Sequence, residues 1–264
     1  MTNESLLFQT THQGVATITL NRPNMQNAFD DELIQKFISL LNEIEQDDKI
    51  RVVVLAANGK NFCAGADLNW MKRMAKYSYE KNLADARQLA TLMHKLYTLN
   101  KPTVALVHGG TYGGGVGLIA CCDIAIATTD ANFSLSEVKI GLIPSVISPY
   151  VIKAIGERAA QRYFLTAENF NAQEAHQLGL IHSVIHQNEL SSMSEKIIKH
   201  LLHNSPQAVI SAKKLVQYVA NNPINAEVIE ETANRIAEIR VSPEGQEGLN
   251  AFLEKRTPKW QHKN

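Results

Sequence analysis

Two hydrophobic rhythms run along the chain. Runs of consecutive apolar residues read as buried strands, and apolar positions three and four apart read as helices with one buried face. Residues 6–11 and 15–20 form a first pair of strands, broken at Gln13-Gly14 and ended by Asn21-Arg22-Pro23-Asn24. Leu33, Ile34, Phe37, Leu40, Leu41 and Ile44 then recur on one face and predict a helix over 31–44, with Asp30 and Asp31 at its start. Residues 52–56 are the next apolar run. A long helix is expected over 79–97, its buried stripe being Leu83, Ala86, Leu89, Ala90, Met93 and Leu96. Residues 103–107 and 124–127 read as further buried strands. Residues 131–137 form a short extended piece that ends on Glu137.

Helices dominate the rest of the chain. Residues 149–164 are helical with a kink near Gly156; 173–178 form a short helix ended by Gly179, with a small strand at 181–185. Helices are then expected at 189–202, 206–219, 226–240 and 243–252, with Asn221-Asn222-Pro223 the clearest break. No residue-level repeat is visible, but the order of strands and helix recurs. Strands crowd the first two-thirds, so the pattern predicts an α/β core with a helical appendage. The expected division is a core over 1–200 and a helical region over 201–264.

Composition narrows the class. At 264 residues, 45% hydrophobic and 20% charged, the chain is long enough for a sizeable core. Its 26 basic and 26 acidic residues balance, which gives no broad attraction to nucleic acid or to an anionic membrane. Three cysteines, Cys63, Cys121 and Cys122, make no disulfide framework; the adjacent pair reads as core. The start at Met1–Ser5 lacks the basic region of a leader, and no apolar run nears the roughly 20 residues of a membrane span. A cytoplasmic, membrane-free protein is expected. The nine histidines stand in no metal-ligand spacing with carboxylates, so no metal is expected. His108 reads as packed or hydrogen-bonded.

Two glycine-bearing turns carry the candidate chemistry. The first, Asn61-Phe62-Cys63-Ala64-Gly65-Ala66-Asp67-Leu68-Asn69-Trp70, follows the 52–57 strand. The second, Gly109-Gly110-Thr111-Tyr112-Gly113-Gly114-Gly115-Val116-Gly117, follows the 103–107 strand and opens a short apolar helix. Glycine permits close approach to the main chain, and a helix start presents unpaired N–H groups with a favourable dipole. Two such turns suit a two-donor oxyanion hole. Each taken alone is equally a tight turn with close helix packing, and Asp67 alone reads as a helix cap.

Together the two turns resemble the enoyl-CoA hydratase/isomerase, or crotonase, superfamily. Leu20-Asn21-Arg22-Pro23, Asn27-Ala28-Phe29 and Phe252-Leu253-Glu254-Lys255-Arg256 extend the resemblance over nearly the whole chain. It implies a crotonase-like spiral of ββα units with a C-terminal helical trimerisation region, trimers pairing into hexamers. It also implies an acyl-CoA substrate, coenzyme A being part of that substrate and no cofactor permanently bound. Matching motifs puts the oxyanion donors on Ala66 and Gly114 and the acid/base on Glu137. Asn27, Ala28, Ala64, Ala66, Asp67 and Leu68 fall on the CoA-binding stretches. Lys255, with Arg256, can reach a CoA phosphate or simply end a solvated helix. Trp70 and Tyr112 line the acyl pocket or pack the core.

One departure matters. Hydratases of this superfamily carry a second glutamate three residues after the middle glycine, and here that position is Gly117. A single glutamate fits Δ3,Δ2-enoyl-CoA isomerases. Yet the wording from Cys63 to Lys72 and from Ser136 to Tyr150 is most similar to bacterial methylglutaconyl-CoA hydratases of leucine and isoprenoid breakdown. Hydration of 3-methylglutaconyl-CoA is therefore the first expectation and isomerisation the alternative. Gly117 is read as leaving room beside the acyl tail. An RNA-binding relative and a catalytically silent paralogue are further readings; the charge balance gives the first little support, and retention of Glu137, Ala66 and Gly114 argues against the second.

Overall fold

The computed structural model describes residues 4–261; Met1–Asn3 of the start read above lie outside the described residues. In chain order come β1 (Leu6–Thr10), β2 (Val15–Leu20), α1 (Asp31–Gln46), β3 (Val52–Ala57), α2 (Leu68–Met74) and α3 (Tyr79–Thr98). β4 (Thr103–Val107), β5 (Gly110–Tyr112), α4 (Gly114–Cys121), β6 (Ile124–Thr128) and β7 (Asn132–Ser134) follow. Then come α5 (Ser148–Thr166), β8 (Phe170–Asn171), α6 (Ala172–Gln177) and β9 (Ser183–Ile185), and the helices α7 (Leu190–His203), α8 (Pro206–Val219), α9 (Ala226–Val241) and α10 (Pro243–Leu253).

Local chemistry explains most boundaries. Asp30 caps α1 by accepting the Leu33 N–H at 2.8 Å, and Leu33, Ile34, Phe37, Leu41 and Ile44 are buried as the periodicity requires. In α3 only the C-terminal half is fully enclosed, through Leu92, Met93 and Leu96; Leu83, Ala86, Leu89 and Ala90 are half-buried. α5 is kinked at Gly156, whose φ of 76° and ψ of 160° leave the helical region. The strand expected at 181–185 begins only at Ser183, because the Leu180 N–H bonds back to Ala175 at 2.9 Å and closes α6.

Six strands form one sheet in the order β1-β2-β3-β4-β6-β9; β1 is antiparallel to β2 and every later pairing is parallel. A second sheet, β5-β7-β8, is prolonged by isolated parallel bridges between Cys63 and Thr111 and between Phe29 and Ala66. The chain thus visits the large sheet, then the small layer, then a helix, as in β4-β5-α4. This is a mixed α/β spiral. On one side lies the main core, built from Ile18, Leu20, Val53, Leu55, Ala105 and Val107 with residues of α1, α3, α4 and α5. On the other, Val52, Val104 and Ile126 lie under Leu190, Met193, Ile197 and Leu201 of α7. α8 is fastened to the core by Lys213, whose Nζ donates to Asp123 Oδ2 at 2.8 Å and to Lys101 O at 3.1 Å. Among the described residues no helix is long and apolar enough to cross a membrane.

Candidate active site

The first glycine-bearing turn is stitched between two neighbours. Cys63 donates to Gly110 O at 3.2 Å and accepts from the Tyr112 N–H at 2.8 Å, which ties it to β5. The Phe29 N–H donates to Gly65 O and the Asp67 N–H to Phe29 O, both at 2.7 Å. A parallel bridge of this kind uses the peptide groups on either side of Ala66, so the Ala66 N–H is directed away from Phe29. Ala66 is exposed between buried Gly65 and buried Asp67. Gly65 takes a φ of +87°, and a β-carbon there would stand 3.2 Å from Tyr112 O.

Arg22 holds this turn from below. Its guanidinium donates to Ala28 O at 2.8 Å, pairs with Asp30 at 2.8 Å and reaches Asp67 at 3.4 Å. Asp67 also caps α2, accepting from Asn69 N at 2.8 Å and Trp70 N at 3.1 Å.

The second turn leads from β5 into α4. The Gly113 N–H donates to Ser134 O at 3.0 Å, and Gly113 O accepts from Val116 and Gly117. α4 starts at half-exposed Gly114, and the first amides of a helix have no intrahelical partner and carry its positive end. A β-carbon on Gly114 would lie 3.0 Å from the Phe29 ring, and one on Gly115 would lie 2.8 Å from Cys63 Cβ. The helix start therefore rests on the first turn. Phe29 touches Gly114 with its ring and bridges Ala66 with its backbone.

Glu137 arrives from the third direction. It follows β7 and opens a single 3₁₀ turn, Glu137–Ile140, closed by left-handed Gly141. Its Oε1 is 2.9 Å from the position of a β-carbon on Gly113. Its Oε2 is buried without a hydrogen-bond partner among the described residues. Burial raises the carboxyl above its ordinary range, opposed only in part by a backbone hydrogen bond. Ile140, Leu142 and Ile143, just beyond, are exposed and apolar. The arrangement can hold an oxygen that gains negative charge and move one proton beside it.

The other expected site residues divide. Asn27 is fully buried, and its side chain is consumed by Arg22 N at 2.7 Å, Asn58 O at 2.8 Å and Asn61 O at 2.9 Å. Asn27 and Ala28 therefore shape the wall on which Phe29 and Ala66 sit. Ala64 is half-buried and Leu68 exposed, beside the donor turn. Trp70 is buried, with its Nε1 donating to Asp85 at 3.2 Å. The Tyr112 ring covers Gly110 and its hydroxyl donates to Asn132 at 2.7 Å, so its side chain is committed to the small sheet. His108 Nε2 lies 2.9 Å from Gly59 O. Lys255 is exposed in a left-handed conformation after α10, and Arg256 pairs with Glu247 and Glu254. Burial pushes the Cys63 and Cys122 thiols up to about 12, so neither is a ready thiolate; Cys63 is enclosed in the core and Cys122 half-buried at its edge.

Gly117 is buried, and the room read beside it is already filled. A β-carbon there would stand 2.2 Å from Ile147 Cγ2 and 3.3 Å from Met93 Cε. Sequence patterning passed over Arg22, Phe29 and Ile147 as working parts. Arg22 and Phe29 lie inside a recognised motif, whereas an isoleucine in an apolar stretch offers no signal.

The structure thus packs the two glycine-bearing turns against each other and sets one partly buried carboxylate on Gly113, the region where a thioester-type oxyanion site was expected. Residues 10–263 match the family model for enoyl-CoA hydratase/isomerase, and the chain belongs to that family. A crystal structure of an enoyl-CoA hydratase from Shewanella pealeana superimposes with a TM-score of 0.95 at 49% identity, covering 98% of this chain and 97% of that one. The 2,3-dehydroadipyl-CoA hydratase of Escherichia coli is 31% identical over 96% of this chain and 98% of its own length. The mitochondrial Delta(3,5)-Delta(2,4)-dienoyl-CoA isomerase of Dictyostelium discoideum is 31% identical over 92% of this chain and 86% of its own.

Proposed function

We propose that this protein hydrates the C=C bond of an enoyl-CoA, with 3-methylglutaconyl-CoA the first candidate substrate. The observation that carries this is the Glu137 carboxylate, its Oε2 buried and its Oε1 against Gly113 at the start of α4, a helix start that packs on Phe29, the bridge partner of Ala66. The thioester oxygen receives the N–H groups of Ala66 and Gly114, which become stronger partners as it gains enolate charge. Glu137 takes a proton from water while the water oxygen bonds to the β-carbon. The same proton then passes to the α-carbon, so one water is added and the carboxylate is regenerated. Coenzyme A enters as part of the substrate, along Asn27-Ala28 and Ala64 to Leu68, with Lys255 toward its phosphates.

An acyl chain with a distal carboxylate suits a site with one glutamate, because the substrate's own acid can hold the water. The name of the Escherichia coli relative supports this, since a dehydroadipyl group also ends in a carboxylate. The alternative is isomerisation, with Glu137 moving a proton from the α-carbon of a 3-enoyl-CoA to its γ-carbon. It is favoured by the apolar filling at Gly117 and by the isomerase among the relatives.

Purified protein assayed against 3-methylglutaconyl-CoA, crotonyl-CoA and a 3-enoyl-CoA separates these readings. Hydration of the first should greatly exceed that of the second. Equal hydration of both removes the substrate-carboxylate idea, and double-bond migration without water addition selects the isomerase. The protein is read as cytoplasmic and as self-associating through its C-terminal helices into trimers or hexamers.

A further inference from the structure

Position 117 lies three residues beyond the donor Gly114, on the same face of α4 one turn on. Side chains on a helix lean toward its N-terminus. A carboxylate at 117 would therefore lean over Gly114, toward the reacting carbons. That volume is occupied. Ile147 Cγ2 stands 2.2 Å and Ile147 Cβ 2.8 Å from the place of a β-carbon on Gly117, closer than carbon atoms approach. Ile147 is itself fixed: it is 3% exposed, it caps α5, and its carbonyl accepts from Tyr150 at 3.1 Å and Val151 at 3.0 Å. Met93, fully buried, bounds the same space, its Cε 3.3 Å from that position.

We infer that Ile147 is a specificity-determining residue: it fills the space that a second carboxylate on α4 needs and turns that wall of the cleft apolar. Gly117 and Ile147 then act as a matched pair. Glycine at 117 is not a vacancy open to the acyl chain but the partner of an isoleucine inserted from the start of α5. The sequence of α4 contains no acid, so no residue on it supplements Glu137. Water addition to an acyl group without its own polar end loses one of its two proton carriers, whereas proton transfer by Glu137 alone is untouched.

This inference rests on the enoyl-CoA reading, and a set of variants keeps the two apart. Gly117→Glu is made alone and combined with Ile147→Ala or Ile147→Gly in the full chain. Thermal midpoint, crotonyl-CoA hydration and 3-enoyl-CoA isomerisation are measured for each. Gly117→Glu alone should melt lower than wild type and show no gain in hydration. Ile147→Ala should relieve it in part, since the isoleucine β-carbon position stays in contact, and Ile147→Gly more fully.

In the Gly117→Glu/Ile147→Gly protein, hydration relative to isomerisation should rise at least about tenfold, a fraction of what a positioned acid–base group contributes. The inference is overturned if Gly117→Glu alone is as stable as wild type, or if it hydrates crotonyl-CoA as well as the double variant. It is also overturned if Ile147→Gly leaves the Gly117→Glu melting and activity ratio unchanged. If wild type acts on no enoyl-CoA, the functional reading fails, and the melting series still decides whether Ile147 excludes a side chain at 117.

Discussion

The Glu137 carboxylate rests on the backbone of Gly113, with Oε1 2.9 Å from where a β-carbon would project. Gly113 also holds a φ of 50° and a ψ of −117°, a conformation that side-chain-bearing residues resist. Both facts require glycine, and both concern the residue just before a candidate oxyanion donor. Gly113→Ala should displace the carboxylate and strain the turn, the strain costing about 1–3 kcal/mol. The expected result is a loss of kcat disproportionate to the fall in melting temperature, checked by measuring both on one preparation.

Glu137→Gln retains the shape and removes the proton carrier. A fall in kcat of about 10²–10⁴ is expected, with acyl-CoA affinity nearly unchanged. Turnover at the wild-type rate would exclude Glu137 as the acid/base.

The direction of the Glu137 shift fixes two pH effects. Burial favours the protonated carboxyl, so the acid limb of kcat/KM should lie above the ordinary glutamate value of about 4.3. Stability follows by linkage. Below the unfolded-state value both states are protonated and the group contributes nothing. Between that value and the raised folded value the native state binds the proton more tightly, so stability declines as pH rises, then levels off. Denaturation across pH should accordingly show Glu137→Gln gaining on wild type toward neutrality and not in acid. A constant difference at all pH values would contradict this sign.

The C-terminal helices and the connection between α8 and α9 carry large apolar residues open to solvent, which self-association would cover. Ile224, Ile229, Val241, Phe252 and Leu253 are 61–87% exposed. Light scattering should give a trimer or hexamer at micromolar concentration. Replacing Phe252 and Leu253 by Asp should shift the mass toward monomer, whereas a monomeric wild type would leave that surface to another partner.

Hydrophobic periodicity alone determined the strands at 15–20, 52–57 and 103–107 and the helices around Phe37 and Met93, because burial of one face is written locally in residue spacing. The glycine-bearing turns were legible too, since backbone freedom is a residue property, whereas Glu137 stood out only through the family resemblance of the segment that carries it. What only the tertiary structure decided is how distant segments share space. The pairing of Phe29 with Ala66 closes over the whole of α1 and β3, and no local pattern records it. The commitment of Asn27 and Tyr112 to internal hydrogen bonds depends on partners far along the chain. At Gly117 the sequence showed a missing side chain and was read as open room. The fold placed Ile147 in that room, because close packing leaves no void where a buried glycine faces an aliphatic residue.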